Sequence, residues 1–311
     1  MAVTTQQRNQ QTTQQTLAPS PARQFMREFF RARVATAGFA LLLLLLLAAL
    51  FAPLLAPQNP YDLARLDLLD ARLAPGAVSK DSRLTFLLGS DAQGRDMLSA
   101  MLYGLRISVI VGAASTAIAL AAGLVLGLLA GYRGGRIDAV LMRVVDIQLS
   151  FPSILIALVL LALSGPGLGK IIAALAAAQW AYYARTARSA ALVERRKEYI
   201  EAATCLGLSG TRIMLRHLLP NCLPPLVVVA ALQVAAAISL EATLSFLGLG
   251  LPVTEPSLGL LIANGFEYML SGKYWISLFP GIALLLLVAS ITLVADRLRD
   301  VLNPRLEARV P

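Results

Sequence analysis

The chain has 311 residues, 57% of them hydrophobic against 14% charged, with a mean hydropathy of +0.69. An ordinary soluble domain of this length is far less apolar, so a bilayer is its natural solvent. The formal charge of +9 does not point to nucleic acid, because the basic residues cluster at alternate ends of oily runs rather than along one face.

In chain order, residues 1–22 are glutamine- and threonine-rich with no apolar period, and are expected to form a disordered cytoplasmic tail. Residues 23–56 follow as a cytoplasmic entry and first transmembrane helix. The run "AGFALLLLLLLAALFAPLLA" is too long for a signal-peptide core and lacks a small-x-small cleavage site. Charge-free intervals at 34–61, 107–132, 147–169, 171–184, 218–240 and 274–295 predict six transmembrane helices. With the N-terminus inside, clusters at 8–33, 133–143, 185–216 and 297–309 place 19 of the 27 lysines and arginines on the cytoplasmic side, which predicts that both termini lie there.

Residues 57–105 read as an extracytoplasmic loop with a short surface helix, capped by Ser90 or Asp91 and carrying Met97, Leu98, Met101 and Leu102 on one face. Residues 106–300 then form a five-helix core. Helix two covers about 106–131, with Gly123 and Gly127 at a spacing that lets two backbones approach. Helix three starts near Arg143 and Asp146 and carries Pro152 one turn in, and Asp146 is expected in a surface ion pair near Arg143. Helix four covers about 168–187, helix five about 223–247 and helix six about 276–296. An interfacial or re-entrant helix is a further possibility between the last two, and residues 301–311 form a cytoplasmic tail.

Residues 188–220 break the pattern by staying polar at the cytoplasmic face. "ALVERRKEYIEAATCL" suits an amphipathic helix with Val193, Ile200 and Cys205 between charged turns. Gly207 supplies a left-handed C-cap and Ser209 an N-cap for "GTRIMLRHLL", with Pro220 expected to close that second helix. Two such helices exceed what a connection needs, since median loops are about 4 to 6 residues, and a docking role fits better than a solvated linker. Glu201, Arg212 and Arg216 would supply polar contacts, and Ile213, Met214 and Leu215 apolar area. Cys205 and Cys222 fall at this reducing face and are expected to be packing residues without a disulfide.

"EAATCLG" followed by "HLLP" resembles the EAA loop of ABC-importer permeases, matching at Glu201, Ala202, Ala203, Gly207, Leu219 and Pro220; His217 stands where the broad pattern has Ile, as is usual in the peptide-importer branch. "LGSDAQGRDMLSAMLYGLRIS", "MRVVDIQLSFPSILIALVLL", "EATLSFLGLGLP" and "LFPGIALLLLVASITLVADRLRDVLNPR" are similar to further signatures of that branch in the same order, although Ala100 replaces a common Arg. The resemblance spans about residues 25–308. It implies an all-α polytopic permease of the type I importer fold, in the bacterial inner membrane, serving a dipeptide, oligopeptide or nickel importer. Implied partners are a second homologous permease, two ABC ATPase subunits, an extracytoplasmic substrate-binding protein and membrane lipid, with no nucleic acid. The second EAA helix, about 210–218, would fit a cleft on the ATPase and drive alternating access.

The chain itself is expected to bind no cofactor and hold no metal or catalytic site, ATP and magnesium belonging to the ATPase subunits. It has a single histidine, no Ser/His/Asp set and no Cys/His pair. "SGPGLGKII" departs from a phosphate loop at Ser164 and Ile171. Glu241, with Gln233 before it, is a candidate to line a pathway, since a carboxylate at mid-bilayer costs on the order of 3 kcal/mol on insertion scales; the competing reading is a carboxylate that hydrogen-bonds a neighbouring helix or the partner permease. A secondary transporter or channel remains the rival class, but it would show internal repeats and intramembrane charge pairs, and neither is found. An intramembrane enzyme would need a nucleophile or metal set.

Overall fold

Long apolar runs without helix stops produce long helices. The structure, a computed structural model, describes residues 21–62, 66–82, 84–252 and 254–302. The expected tail at 1–22 lies outside the described residues except for its last two positions, and that at 301–311 except for its first two. Helix α1 (Pro21–Phe29) leads into α2 (Arg33–Leu50) and a one-turn extension, α3 (Ala52–Leu55). A polar segment follows with a 3-10 turn at Leu68–Asp70 and a two-stranded antiparallel ribbon, β1 (Ala77–Val78) with β2 (Thr85–Phe86), in which Ala77 faces Phe86.

Helix α4 (Met97–Arg133) is continuous over 37 residues, about 55 Å at 1.5 Å per residue. The sequence reading separated a surface helix from helix two near Arg106. Nothing there stops a helix, and Arg106 is exposed on its side. The cap also differs: Asp96, rather than Ser90 or Asp91, accepts the Ser99 N–H at 2.7 Å, because Asp91 is committed to Arg95.

Helices α5 (Gly135–Leu149) and α6 (Ser153–Ser164) meet at 86°, so the expected single helix three is broken. Pro152 is the N-cap of α6 in extended conformation (ψ 128°), where its missing N–H costs no hydrogen bond, rather than a residue inside a helix. Helix α7 (Leu168–Glu194) exceeds its expected end, and α8 (Glu198–Cys205) follows a short turn, so the single amphipathic helix expected here is two. Helix α9 (Gly210–Phe246) runs through Pro220, Pro224 and Pro225 without a break, with a π-helical stretch at Ile213–Leu218. A short α10 (Leu258–Phe266) occupies the segment before the last helix, α11 (Trp275–Leu302).

By length and apolarity four helices can cross a membrane among the described residues, α2, α4, α9 and α11, or five if the bent α5–α6 pair is one span. Helix α7 does not qualify, because it is the polar and alanine-rich centre of the bundle. Its Ala184, Ala187 and Ala191 pack on Gly123, Gly127 and Gly131 of α4, so closely that a Cβ on Gly127 would collide with the Ala184 carbonyl. The expected close approach of two backbones is therefore the α4–α7 seam. Ile107, Val111, Leu161, Leu175 and Leu244 fill one core around it, and Leu105, Ile238, Leu258 and Leu287 a second among α4, α9, α10 and α11. Outside, Leu44, Leu50, Leu163 and Leu285 are each more than 60% exposed, a surface suited to acyl chains.

Candidate functional site

The polar stretch singled out in the sequence folds as a helix hairpin on the ends of α4 and α7. Helix α8 terminates at Gly207, whose φ of +72° places it in the left-handed region. The Gly207 N–H donates to the Thr204 carbonyl at 2.9 Å and the Leu208 N–H to the Ala203 carbonyl at 3.2 Å, a Schellman closure. Ser209 takes the N-cap position of α9, but its side chain makes no capping hydrogen bond. Gly210 lies against Tyr132 of α4, where a Cβ would come within 3.0 Å of the phenol oxygen.

The hairpin has two faces. Ile200, Ala203, Ile213, Leu218 and Cys222 are buried with Leu128 and Ala191. Glu201, Ala202, Gly207, Arg212, Arg216 and Pro220 are exposed, and Leu219 is half-buried. Leu206 and Leu215 are the large apolar residues on the open side, 79% and 54% exposed. Ile213 therefore belongs to the hairpin's own core rather than to the outward apolar area, and Met214 is packed against that core. Val193 and Cys205 face outward, so of the alternating set only Ile200 is inside, and Cys205 is not a packing residue. Pro220 does not close a helix: the Leu219 N–H reaches back to the Met214 carbonyl, and this wide turn carries the chain past a residue with no N–H to give.

A hydrogen-bonded strut that periodicity does not reveal holds the hairpin at its angle. Glu194, at the end of α7, accepts from Lys197 Nζ at 2.6 Å and from the Tyr199 hydroxyl at 2.7 Å, while Asn221 of α9 donates to the Tyr199 oxygen at 3.1 Å and to the His217 carbonyl at 2.7 Å. Burial alone would raise the Glu194 carboxyl, but the Lys197 and Tyr199 hydrogen bonds and the Lys197 charge hold it below the usual carboxylate range. Burial and the neighbouring Glu194 push the Tyr199 phenol up to about 12, so it remains a donor. Tyr199 thus joins α7, α8 and α9. The only sequence cue was its place beside the EAA residues; Asn221, 22 positions on, has none.

Glu241 is fully buried. It accepts from Ser245 of its own helix at 2.7 Å and from Ser108 of α4 at 3.2 Å, the geometry of a carboxylate that joins helices. A cleft of about 320 Å³ beside it is lined by Ser239, Ala242, Thr243 and Gly259 among others, without Glu241. Gln233 is half-buried. Asp146 pairs with Arg185 of α7 at 2.5 Å rather than with Arg143, and Asp138 makes a two-pronged pair with Arg188. In the glycine-rich turn before α7, Lys170 Nζ donates to the Ser164 carbonyl at 2.5 Å. Among the described residues no three His, Cys, Asp or Glu side chains gather as a metal site would require.

The polar segment between α3 and α4 is built differently. Arg95 and Asp91 form an ion pair at 2.7 Å with both side chains at most 2% exposed, and Asp91 also accepts the Arg95 and Gln93 N–H groups. Ser90 donates to the Asp70 carbonyl and accepts from the Leu73 N–H, and its own carbonyl receives Trp275 Nε1 of α11 at 3.2 Å. The Gln58 side chain accepts the Asp96 N–H at 2.7 Å, and the Gln58 N–H reaches Ser99 Oγ at 3.1 Å. "LGSDAQGRDMLS" is thus a polar lock that seats the segment between α3 and α4 on α4 and α11.

Residues 123–308 match the family described as binding-protein-dependent transport system inner membrane component, and residues 20–75 match the N-terminal TM domain of oligopeptide transport permease C. The di/tripeptide transport system permease protein DppC of Pseudomonas aeruginosa is 38% identical over 92% of this chain and 92% of its own. The dipeptide transport system permease protein DppC of Escherichia coli K12 is 40% identical over 92% of this chain and 93% of its own. A chain of the inward-facing MetNI methionine ABC transporter superposes with a TM-score of 0.54 at 23% identity, covering 66% of this chain and 97% of that one, which shows a shared fold. With its spans and these matches taken together, the chain belongs to the family of inner membrane components of binding-protein-dependent transport systems, as a non-catalytic, multi-pass permease subunit of an ABC importer.

Proposed function

We propose that this permease passes di- or oligopeptides inward by alternating access, with six spans, α7 being the sixth, and both termini in the cytoplasm. The peptide cargo is supported by the names of the relatives. Its complex contains a second, related permease, two ATPase subunits and an extracytoplasmic binding protein. The observation that carries the mechanism is the hairpin at 188–220: its apolar underside is locked into the ends of α4 and α7, while Glu201, Arg212, Arg216, Leu206 and Leu215 stand open. An ATPase seated on residues 210–218 would push directly on α9, because no break separates that segment from the membrane span. Ala203, Gly207 and Leu219 set the hairpin's shape, Ala202 and Pro220 lie on its exposed face, and Glu201, Arg212 and Arg216 face the motor. Of the two polar candidates in α9, Gln233 is the better pathway residue, since the Glu241 carboxylate is already shared between Ser108 and Ser245.

The test is reconstitution of the complex in liposomes with its binding protein. A dipeptide-loaded binding protein should stimulate ATP hydrolysis and peptide uptake together, and nickel should do neither. Stimulation by nickel alone would replace the cargo, and uptake by this chain without any ATPase would overturn the mechanism.

A further inference from the structure

We infer that α1 and the turn that follows it form a binding site for the headgroup of an anionic phospholipid. The helix has three distinct stripes. Phe25 and Phe29 stack at 6.2 Å, and Phe29 packs edge-on to Phe30 and to Phe39 of α2, which fixes the inner stripe on the first span. Arg23 and Arg27, four positions apart, lie on an exposed stripe, and Arg31 follows in the turn. Between them and the span are Met26 and Phe30, 58% and 43% exposed. A cleft of about 1020 Å³ is lined by Arg23, Gln24, Arg27, Glu28, Phe30 and Arg31, three cations against one carboxylate.

The site is held in place rather than trailing from the bundle. Arg297 of α11 donates to the Glu28 and Phe29 carbonyls, satisfying the C-terminal end of α1 with a cation. Thr36 Oγ1 donates to the Phe30 and Ala32 carbonyls, which closes the turn between α1 and α2.

Charge and shape together select the occupant. A free anion would need only the arginines, whereas an acyl-bearing one also uses Met26, Phe30 and the exposed Val34 and Phe39 below them. Guanidinium groups take phosphate oxygens two at a time, and their aliphatic stems lie along apolar surface. A basic amphipathic helix beside a span sits at headgroup depth with its apolar side in the acyl region. Glu28 is the one carboxylate lining the cleft against three arginines, and this net positive charge favours an anionic headgroup over a zwitterionic one.

The experiment uses the full chain in its delipidated complex, titrated with phosphatidylglycerol or phosphatidylcholine and followed by lipid-bound mass and thermal midpoint. Each arginine at a charged surface is worth about fivefold in binding, so the three together give phosphatidylglycerol an advantage on the order of a hundredfold. The triple variant Arg23→Gln, Arg27→Gln, Arg31→Gln should lose that advantage, and the three Lys replacements should retain most of it. A photoreactive phosphatidylglycerol should label residues 21–34 of the wild type, and this reads the site even where the triple variant does not accumulate. Met26→Ser with Phe30→Ser should weaken phosphatidylglycerol severalfold while leaving glycerol phosphate unaffected. Equal preference in wild type and Gln variant, labelling elsewhere only, or free glycerol phosphate binding as tightly as the lipid would each overturn the assignment.

Discussion

The Ser90–Ser99 lock and the 188–220 hairpin are both polar regions of an oily protein, yet they treat polarity in opposite ways. In the lock, charges are buried and paired: Asp91 and Arg95 are withdrawn from solvent, and Ser90, Asp96 and Ser99 join them. In the hairpin, Glu201, Arg212 and Arg216 are left in the open over a core of aliphatic side chains and Cys222, braced by the hydrogen bonds of Glu194, Lys197, Tyr199 and Asn221. Buried ion pairs fix one arrangement at a desolvation cost, which suits a part that must keep its shape; exposed ones leave a surface able to meet another protein.

Breaking the lock should have the largest effect. Asp91→Ala takes the carboxylate away from the Arg95 side chain in a dry site and should cost about 3–5 kcal/mol, read as a fall in thermal midpoint of the purified permease, whereas Asp91→Asn with Arg95→Leu, which keeps an acceptor for the Gln93 and Arg95 N–H groups, should cost much less. Equal losses from the single and double changes would mean the lock is not electrostatic. Next, Gly207→Val forces a branched side chain into a φ of +72°, at about 1–2 kcal/mol, and should preserve membrane insertion while separating ATP hydrolysis from uptake. Wild-type uptake by that variant would sink the role given to the hairpin.

Tyr199→Phe removes one hydroxyl and two hydrogen bonds, a cost of about 1 kcal/mol. It should lower the peptide transported per ATP with no change in accumulation, and hydrogen exchange in α8 should rise while that of the Ser90–Ser99 lock does not. Arg212→Ala with Arg216→Ala should change stability by less than about 0.5 kcal/mol, as exposed sites do, yet abolish co-purification of the ATPase. Acid should have the smallest effect. The Glu194 carboxyl is held below its ordinary 4.5, so its contribution is complete above that value and is lost only as pH falls beneath it; at the alkaline end, Tyr199's contribution is lost as pH rises from 10.0 through about 12. Hydrogen exchange of α8 measured between pH 5 and 9 should therefore be flat after correction for the intrinsic rate.

What the sequence made legible followed from strong local rules. Of the six charge-free runs, four marked spans that the described residues bear out and a fifth the bent α5–α6 pair, Gly207 marked the end of α8, and the Gly123–Gly127 spacing marked a close helix approach. Errors arose where a local signal met a tertiary alternative. Arg106 looked like a boundary because charges end apolar runs, but a side chain at the edge of a helix can reach water without breaking it. Pro220 looked like a stop because proline cannot donate, but a π-helical turn accommodates it. Pro152 is the converse, a proline read as internal that marks an 86° corner. The face of the hairpin was legible only in part: helical spacing suggested that Ile213, Met214 and Leu215 shared a role, whereas Ile213 is turned inward by the ends of α4 and α7, which no local pattern records. The Tyr199 strut and the Ser90–Ser99 lock depend on partners tens to nearly two hundred positions away, as in the Ser90–Trp275 contact.

The α4–α7 seam constrains how this protein can diverge. Gly123, Gly127 and Gly131 already carry the smallest residue available, and Ala184, Ala187 and Ala191 opposite them carry the next smallest. A methyl gained at Gly123 or Gly127 would meet the backbone carbonyl of Trp180 or Ala184, which no substitution on α7 removes, whereas one gained at Gly131 would meet the Ala191 methyl, whose loss would place a glycine in a helix interior at about 1 kcal/mol. Gly123 and Gly127 are therefore expected not to change and Gly131 only together with Ala191, and a chimera that joins α4 of this chain to α7 of a relative with bulkier residues there should fail to assemble even with every span intact.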